Sequence, residues 1–407
     1  MGMIVTLAWR NLWRNKRRTA ITAASVFTAL FLALLTRSMQ IGSYDKMVSD
    51  VVETYAGYVQ IHADGYHRQR TINNTMSPPQ DVIDSLRSRA QITTVIPRLE
   101  SFALASGRNA TRGARVVGIA PALEDSFTHL SDRIVDGEYF SPKRRGVLAA
   151  QGLAGYLQVG VGDTLVLLGQ GYRGVGAAGK YLINGILSFP SPELNNQMVY
   201  LHLDSAQSLY AAQGRLTSLV LDLADPDYVD RVAQDLRTYV NTDIYEVLSW
   251  KQTLTELNQQ IQADNAGGII MVWILYVIVA FGIFGTITMM FLERTREIAV
   301  MLAVGTSRVR LAALLATESV FLALTGIVAG IGAAIPVLSY FHANPILLRG
   351  EVAAGMREFG VEPVIPFSMD LFLFVNNAAV VFCITMVCIL YPLIKTARFD
   401  MVDALRA

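Results

Sequence analysis

Four stretches of this chain are apolar over enough residues to cross a bilayer as helices, and the rest of the chain must be arranged around them. They are residues 19–36 (TAITAASVFTALFLALLT), 266–292, 319–341 and 371–394. A helix needs about 20 residues to span the hydrocarbon core. With their flanks the runs give expected spans at 19–41, 265–292, 311–341 and 368–394. Composition agrees: 52% of the 407 residues are hydrophobic and 16% charged, too apolar for a soluble chain of this length. The first run has the basic start of a signal peptide. Its amphipathic flank is long and no small-residue cleavage site follows, so it reads as an uncleaved span.

Lysine and arginine in short loops mark the cytoplasmic side. Arg10, Arg14, Lys16, Arg17 and Arg18 precede the first span, and Arg294, Arg296, Arg308 and Arg310 lie between the second and third. Lys395, Arg398 and Arg406 follow the fourth. The loop between the third and fourth spans has Arg349 and Arg357 offset by Glu351, Glu358, Glu362 and Asp370. Both termini are therefore expected in the cytoplasm. Residues 42–264 form an extracytoplasmic domain, 293–310 a cytoplasmic loop, 342–367 a short outer loop and 395–407 a cytoplasmic tail. Residues 1–18 set Leu7, Trp9, Leu12 and Trp13 among basic side chains. That pattern suits an amphipathic helix lying in the inner headgroup region, in contact with membrane lipid.

The outer segment alternates strand-like stretches (YVQIHA, ARVVGIA, TLVLLG, KYLINGILSF, NQMVYLHL, LTSLVLDLA) with helical ones at 81–89 and 227–239. Asp225, Pro226 and Asp227 make a helix start, with a capping residue beside proline. Residues 216–248 read as one β-α-β unit, complemented by an earlier one near 58–119. The part between, about 121–213, reads as an inserted β-rich subdomain. The expected fold class is an α-helical membrane protein with four transmembrane helices plus a large extracytoplasmic α+β domain between helices 1 and 2.

Within that domain, residues 169–181 (GQGYRGVGAAGKY) combine G-x-G-x-x-G with most of a P-loop. A phosphate-binding glycine run must open a helix, whose first amides receive the phosphates. Here strand-like residues flank it on both sides, and Tyr181 stands where a magnesium-binding Ser or Thr is needed. The stretch reads as a hairpin loop. The five histidines have no metal-like spacing, and neither H-E-x-x-H nor G-x-S-x-G occurs. No catalytic residue and no metal site is expected. A net charge of +1 argues against nucleic acid. Cys383 and Cys388 sit in an apolar run as packing residues.

Inside the spans, Gly326 and Gly330 form G-x-x-x-G, which permits close helix approach or a dimer interface. Glu318 is an ionisable residue near the inner end of the third span, with Arg310 or Arg296 as expected partners. Asn376 and Asn377 are expected to bond between helices. Met271, Trp273, Ile274 and Phe31 are candidate contacts for lipid or substrate.

The loop MFLERTREIAVMLAVGTS, residues 290–307, carries the most specific pattern. Ile298, Met301 and Leu302 fall three or four apart and offer one apolar anchoring face. Glu293–Arg296 and Arg294–Glu297 are spaced for local ion pairs, and Gly305 is placed to end the helix. At Glu293, Arg294, Glu297, Ile298, Ala303 and Gly305 the run resembles the coupling-helix segment of the MacB-like ABC permeases. The tail YPLIKTARFDMVDALRA is similar to that family's ending through Pro392, Ala397 and Ala404-Leu405-Arg406, with Met401-Val402 in place of Pro-Xaa. In the outer domain, GEYFSPKRRGVLAAQGLAGYLQVGVGDTLVLL resembles the lipoprotein-releasing LolC/LolE branch.

The resemblance implies a bacterial inner-membrane permease with no enzymatic activity of its own. Its porter-like outer domain would hold an inserted Sabre-like subdomain. It would pair with a second permease copy or paralogue and with a cytoplasmic ABC ATPase dimer. That partner, not this chain, would bind ATP and magnesium, so no cofactor is expected here. ATPase closure would push the coupling helix and move the outer domain by mechanotransmission. The expected work is extraction of lipoproteins from the inner membrane and delivery to a periplasmic carrier. Alternatives from the same superfamily are an FtsX-type regulator of cell-wall hydrolases and a MacB-like export engine with an adaptor and outer-membrane channel.

Overall fold

The computed structural model describes residues 2–14, 16–141, 146–351, 353, 355 and 363–397. The chain begins with α1 (Gly2–Arg14) and α2 (Lys16–Val51), closed by a π-helical turn at Val52–Ala56. Then follow β1 (Val59–Ala63), α3 (Gln80–Arg87), β2 (Ile92–Ser106), β3 (Thr111–Ile119), α4 (Pro121–Thr128), β4 (Ile134–Gly137) and β5 (Val147–Ala150). Next come α5 (Gln151–Leu157), β6 (Thr164–Gln170), β7 (Gly176–Leu187), α6 (Pro192–Asn195), β8 (Met198–His202) and α7 (Leu203–Leu209). The remainder includes β9 (Ser218–Leu223), α8 (Val229–Tyr239), β10 (Tyr245–Ser249), α9 (Trp250–Thr253), α10 (Thr255–Glu293), α11 (Thr295–Ala303), α12 (Arg308–Ala343) and α13 (Leu371–Ala397). The motif Ala404-Leu405-Arg406 lies outside the described residues.

Two units result: Met1–Asp45 with Gln262–Leu347 and Val364–Ala407, and Lys46–Ile261 with Leu348–Pro363. Among the described residues four helices, carried by α2, α10, α12 and α13, are long and apolar enough to cross a membrane. In the first unit they share one core: Val26, Leu30 and Leu34 meet Tyr276, Ile283 and Ile287, with Ile327, Leu338, Phe374 and Ile389. Gly326 brings α12 against α2, since a Cβ there would stand 2.6 Å from the Cβ of Val26. Asn377 accepts a hydrogen bond from the Tyr276 hydroxyl at 2.6 Å, satisfying both polar groups inside the helix pack. Asn376 is exposed.

In the second unit β10, β1, β9 and β2 lie side by side in that order. Each neighbouring pair is antiparallel. In chain order this is β1-α3-β2 and β9-α8-β10, two interleaved β-α-β halves, each with its strands split by one of the other's. The arrangement is a ferredoxin-like split β-α-β sheet, and α3 and α8 cover it through Leu86, Val232 and Leu236.

Between β2 and β9 the chain builds a second body. β2 pairs β3, β3 pairs β8, β8 pairs β5, β5 pairs β7, β7 pairs β6, and β6 returns to β2. That cycle is a closed ring of strands around Leu99, Ala105, Val116, Leu148, Leu165, Ile183 and Val199. Closure leaves the ring strands no free edge along their paired lengths. The ring includes β3 and the second half of β2, so the insertion begins midway along β2 and not near residue 121 as the sequence suggested. The reason is that β2 is uninterrupted: it pairs β9 up to Arg98, then β3 from Arg98 onward. The glycine run occupies the β6–β7 hairpin, from Thr164↔Leu182 to Gln170↔Gly176, and opens no α-helix, its turn holding only a three-residue 3-10 turn at Tyr172–Gly174. Its turn takes positive φ at Arg173 (55°) and Gly174 (81°).

Candidate functional site

The segment between α10 and α12 is built around a nine-residue helix, α11. A helix this short does not hold together alone in water, so its neighbours must stabilise it. Ile298, Ala299 and Leu302 are buried against Phe291, Leu311 and Leu315, with Met301 and Leu393 at the margin. The apolar face that the sequence offered for a partner is thus turned onto the chain's own helices. Periodicity reveals that such a face exists, while tertiary packing decides what covers it. The exposed residues of the segment are Arg296, Glu297, Val300 (55% exposed) and Ala303 on α11, Glu293 at the end of α10, Val304 (82%) just past α11 and Val309 (78%) at the start of α12.

Both ends of the turn follow local chemistry. Gly305 takes φ +97°, a conformation that disfavours side chains, and its N–H donates to Leu302 O at 3.1 Å. Thr306 N–H donates to Met301 O at 3.0 Å, and Ser307 caps α12 by accepting from Arg310 N–H at 3.4 Å. Glu297 lies in the first turn of α11, where a carboxylate meets the helix N-terminus favourably.

Arg294 and Glu318 form the polar centre. Arg294 is buried, and its Nη1 donates to Glu318 Oε2. Asn11 Nδ2 donates to Glu318 Oε1 at 2.5 Å. The partner of Glu318 is therefore Arg294, not Arg310 or Arg296, because Arg294 sits at the corner where α10 gives way to α11 and turns its side chain inward. Arg14 of α1 donates to both carboxylate oxygens of Glu297, at 2.9 and 3.0 Å. Trp9 meets Phe321 of α12 edge to face with ring centroids 5.6 Å apart. No spacing rule predicts these contacts, since Asn11 and Glu318 stand 307 residues apart in sequence.

The other expected positions are distributed along the helices. Gly326 and Gly330 both face α2, at Val26 and Leu30, so their close approach is made within the chain. Met271, Trp273 and Ile274 are exposed on α10. Phe31 is half-buried and stacks on Phe27 at 5.8 Å. Where α2 and α10 meet further along, Arg37 donates to Asn265 Oδ1 at 3.1 Å and Tyr44 to Asp264 Oδ2 at 2.6 Å. Gln40 lies in the space a side chain at Gly268 would need. In the second unit a cavity of about 700 Å³ is lined by Asp50, His67, Arg70, Arg115, Glu193 and Leu257, among others. Burial, followed by the charge of Arg70, lowers the pKa of His67. Among the described residues no group of three or more His, Cys, Asp or Glu is placed to hold a metal ion.

Residues 19–239 match the MacB-like periplasmic core domain, and residues 269–401 match the FtsX-like permease C-terminal domain. The chain is 21% identical over 352 residues to the lipoprotein-releasing system transmembrane protein LolC of Neisseria meningitidis serogroup B, covering 82% of this chain and 83% of that one. It is 23% identical over 325 residues to an uncharacterized ABC transporter permease protein of Mycobacterium tuberculosis, covering 78% of this chain and 36% of that longer relative. Among solved structures, the extracellular domain of the transporter YknZ from Gram-positive bacteria aligns with a TM-score of 0.33 at 11% identity, covering 47% of this chain and 99% of that one. The periplasmic region of MacB from Actinobacillus actinomycetemcomitans aligns with a TM-score of 0.36 at 13% identity, covering 53% and 95%.

Proposed function

The chain belongs to the MacB-like periplasmic core domain family and carries an FtsX-like permease domain, and from that premise we propose that it couples a separate ABC ATPase to lipoprotein extraction. Members of this permease family are the membrane components of ABC transporters and are not catalytic themselves, and the chain is an inner-membrane protein of that kind. In the proposed arrangement both termini and α11 lie in the cytoplasm, and residues 46–261 lie outside. Two permease subunits, identical or paralogous, stand over an ATPase dimer that binds ATP and magnesium.

One observation carries the coupling step: a short helix, braced from within by Ile298 and Leu302, leaves Val300 exposed, followed by exposed Val304 just past its end and exposed Val309 in the first turn of α12, with Arg296 and Arg308 also exposed. An exposed apolar strip rimmed by charge is the form taken by a helix that seats in a partner's groove. The inward residues transmit the push to α10 and α12. Because α2 and α10 each run on into the second unit, the same helices carry movement to it. The lipoprotein cargo and its periplasmic carrier are inferred from the match to LolC, which runs over most of both chains. Acyl chains would lie against the exposed Met271, Trp273 and Ile274.

The test is affinity capture of the full tagged chain from its native membrane, with mass spectrometry of proteins and acylated peptides. Recovery of an ABC ATPase, lost in the Val304→Glu and Val309→Glu variants, is the expected result for coupling. Lipoproteins that co-purify and leave on addition of ATP with vanadate support extraction. A wall hydrolase, or an adaptor with an outer-membrane channel, recovered in their place would overturn the cargo and leave the coupling intact. An ATPase retained by both valine variants would overturn the assigned surface.

A further inference from the structure

The helix α1 has a buried face that packs inside the chain and an aromatic face that stays exposed, although Trp9 on the latter also touches Phe321. Ala8 and Leu12 are buried, and Asn11, one turn from Ala8 on the same side, reaches Glu318. Around the helix from that face, Trp9 and Trp13 form an exposed aromatic stripe, with rings 6.1 Å apart. Beyond it stand Arg10 and Arg14, and the chain continues into exposed Lys16 and Arg17. No acidic residue occurs between Met1 and Thr36, so nothing nearby in sequence offsets this charge. An aromatic stripe bordered by basic residues fits an anionic lipid surface: indole rings sit at headgroup depth, and each Lys or Arg is attracted by the negative leaflet.

The inward face makes the same helix a brace. Asn11 holds Glu318, Glu318 holds Arg294, and Arg14 holds Glu297. Arg294 and Glu297 bound the first turn of α11. Anything that fixes α1 thereby fixes the start of α11, by linkage through shared contacts. We propose that α1 binds an anionic lipid surface through Trp9, Trp13, Arg10, Lys16 and Arg17, and that this binding rigidifies α11 through the Asn11–Glu318–Arg294 and Arg14–Glu297 contacts. The inference takes its functional meaning from α11 as the ATPase-coupling helix. Its test requires no ATPase, so the two readings fail separately.

The full chain is placed in nanodiscs of phosphatidylcholine alone or with about 30 mol% phosphatidylglycerol. Hydrogen exchange is then followed in peptides covering α1 and α11. With anionic lipid, exchange in both helices is expected to slow together by about tenfold, and the effect should shrink at high salt. Arg10→Gln/Lys16→Gln/Arg17→Gln should abolish both changes. Asn11→Leu should leave the slowing of α1 and remove that of α11. If that variant does not fold, Arg14→Glu should uncouple the helices and Arg14→Glu/Glu297→Arg should recouple them. Exchange in α1 that ignores lipid charge overturns the lipid surface. Exchange in α11 that does not follow α1, or that quickens as α1 slows, overturns the brace.

Discussion

Replacing Glu124 by glutamine should unfold the second unit at a markedly lower temperature, although the change leaves the side chain's shape intact. Arg98 and Glu124 are both fully buried. Arg98 Nε donates to Glu124 Oε2 at 2.9 Å and Nη2 to Oε1 at 2.6 Å, and the third nitrogen donates to the carbonyl of Tyr55. Burial alone would lower the pKa of Arg98, yet the charge of Glu124 raises it above its ordinary value. The guanidinium therefore stays charged, and Glu124→Gln strands that charge in the core. Breaking one side of a buried pair typically costs about 3–5 kcal/mol. For a unit of this size each kcal/mol moves the midpoint by about 2–4 °C, so a loss of ~4 kcal/mol corresponds to about 8–16 °C. Thermal unfolding of the full chain in detergent, read by proteolysis of the second unit after stepped heating, measures the shift. Arg98→Met/Glu124→Leu removes both charges and should come back to near the parent midpoint. A shift below about 2 °C for Glu124→Gln would refute the argument, because it would mean that water reaches the pair.

Two further outcomes follow from side chains at similar depth. His62 is buried, and burial outweighs its bond to Thr217 and the carboxylates of Glu100 and Glu246, so its pKa is lowered below that of an ordinary histidine. A depressed histidine favours the folded state above the unfolded pKa; the second unit should lose stability as pH falls below about 6.5, and His62→Gln should remove that part of the slope in unfolding midpoints measured from pH 8 to 5. Gly326→Val should lower the unfolding midpoint of the helical unit by forcing α12 off Val26, an overpacking cost of about 1–3 kcal/mol; Gly332→Val, where a Cβ meets nothing within 4 Å, is the control that should move it little.

Much of this fold was legible because period and punctuation are local properties. β1, β9 and α8 stand where alternation, helical spacing and the Asp225-Pro226 start put them. β2 was not, because Pro97 interrupts its run and proline normally argues against a strand. The structure tolerates Pro97 where β2 has only β9 as a partner, before β3 joins at Arg98. Ring closure was equally hidden, since it depends on Ala103 meeting Gly169 across sixty-odd residues that carry no pairing signal. At the candidate site the spacing located α11 and its end at Gly305, but the inward turn of Ile298 and Leu302 depended on Phe291, Leu311 and Leu315. Likewise, charge counting pointed Glu318 to Arg310 or Arg296 and missed Arg294, which only the corner between α10 and α11 turns inward.

The positions of the polar contacts suggest how α10 acts. In its third turn, Asp264 and Asn265 are held by Tyr44 and Arg37 of α2. At its end, Arg294 is held by Glu318 of α12 and, through it, by Asn11 of α1. These anchor points are 29 residues apart (265 to 294), about 44 Å along a helix. Between them the packing is largely apolar, broken by the bond from Tyr276 to Asn377. Apolar contacts have no strong directional preference and permit small sliding, whereas charge-assisted hydrogen bonds weaken steeply with distance and angle. A helix held by directional bonds at two separated levels and by non-directional contact between them is suited to transmit a displacement along its length. The stretch between them can shift against its neighbours while the two anchor points keep their partners. Weakening the lower anchor with Glu318→Gln should therefore free the end of α10 without melting its middle, a pattern that residue-resolved hydrogen exchange separates from general loss of the helix pack.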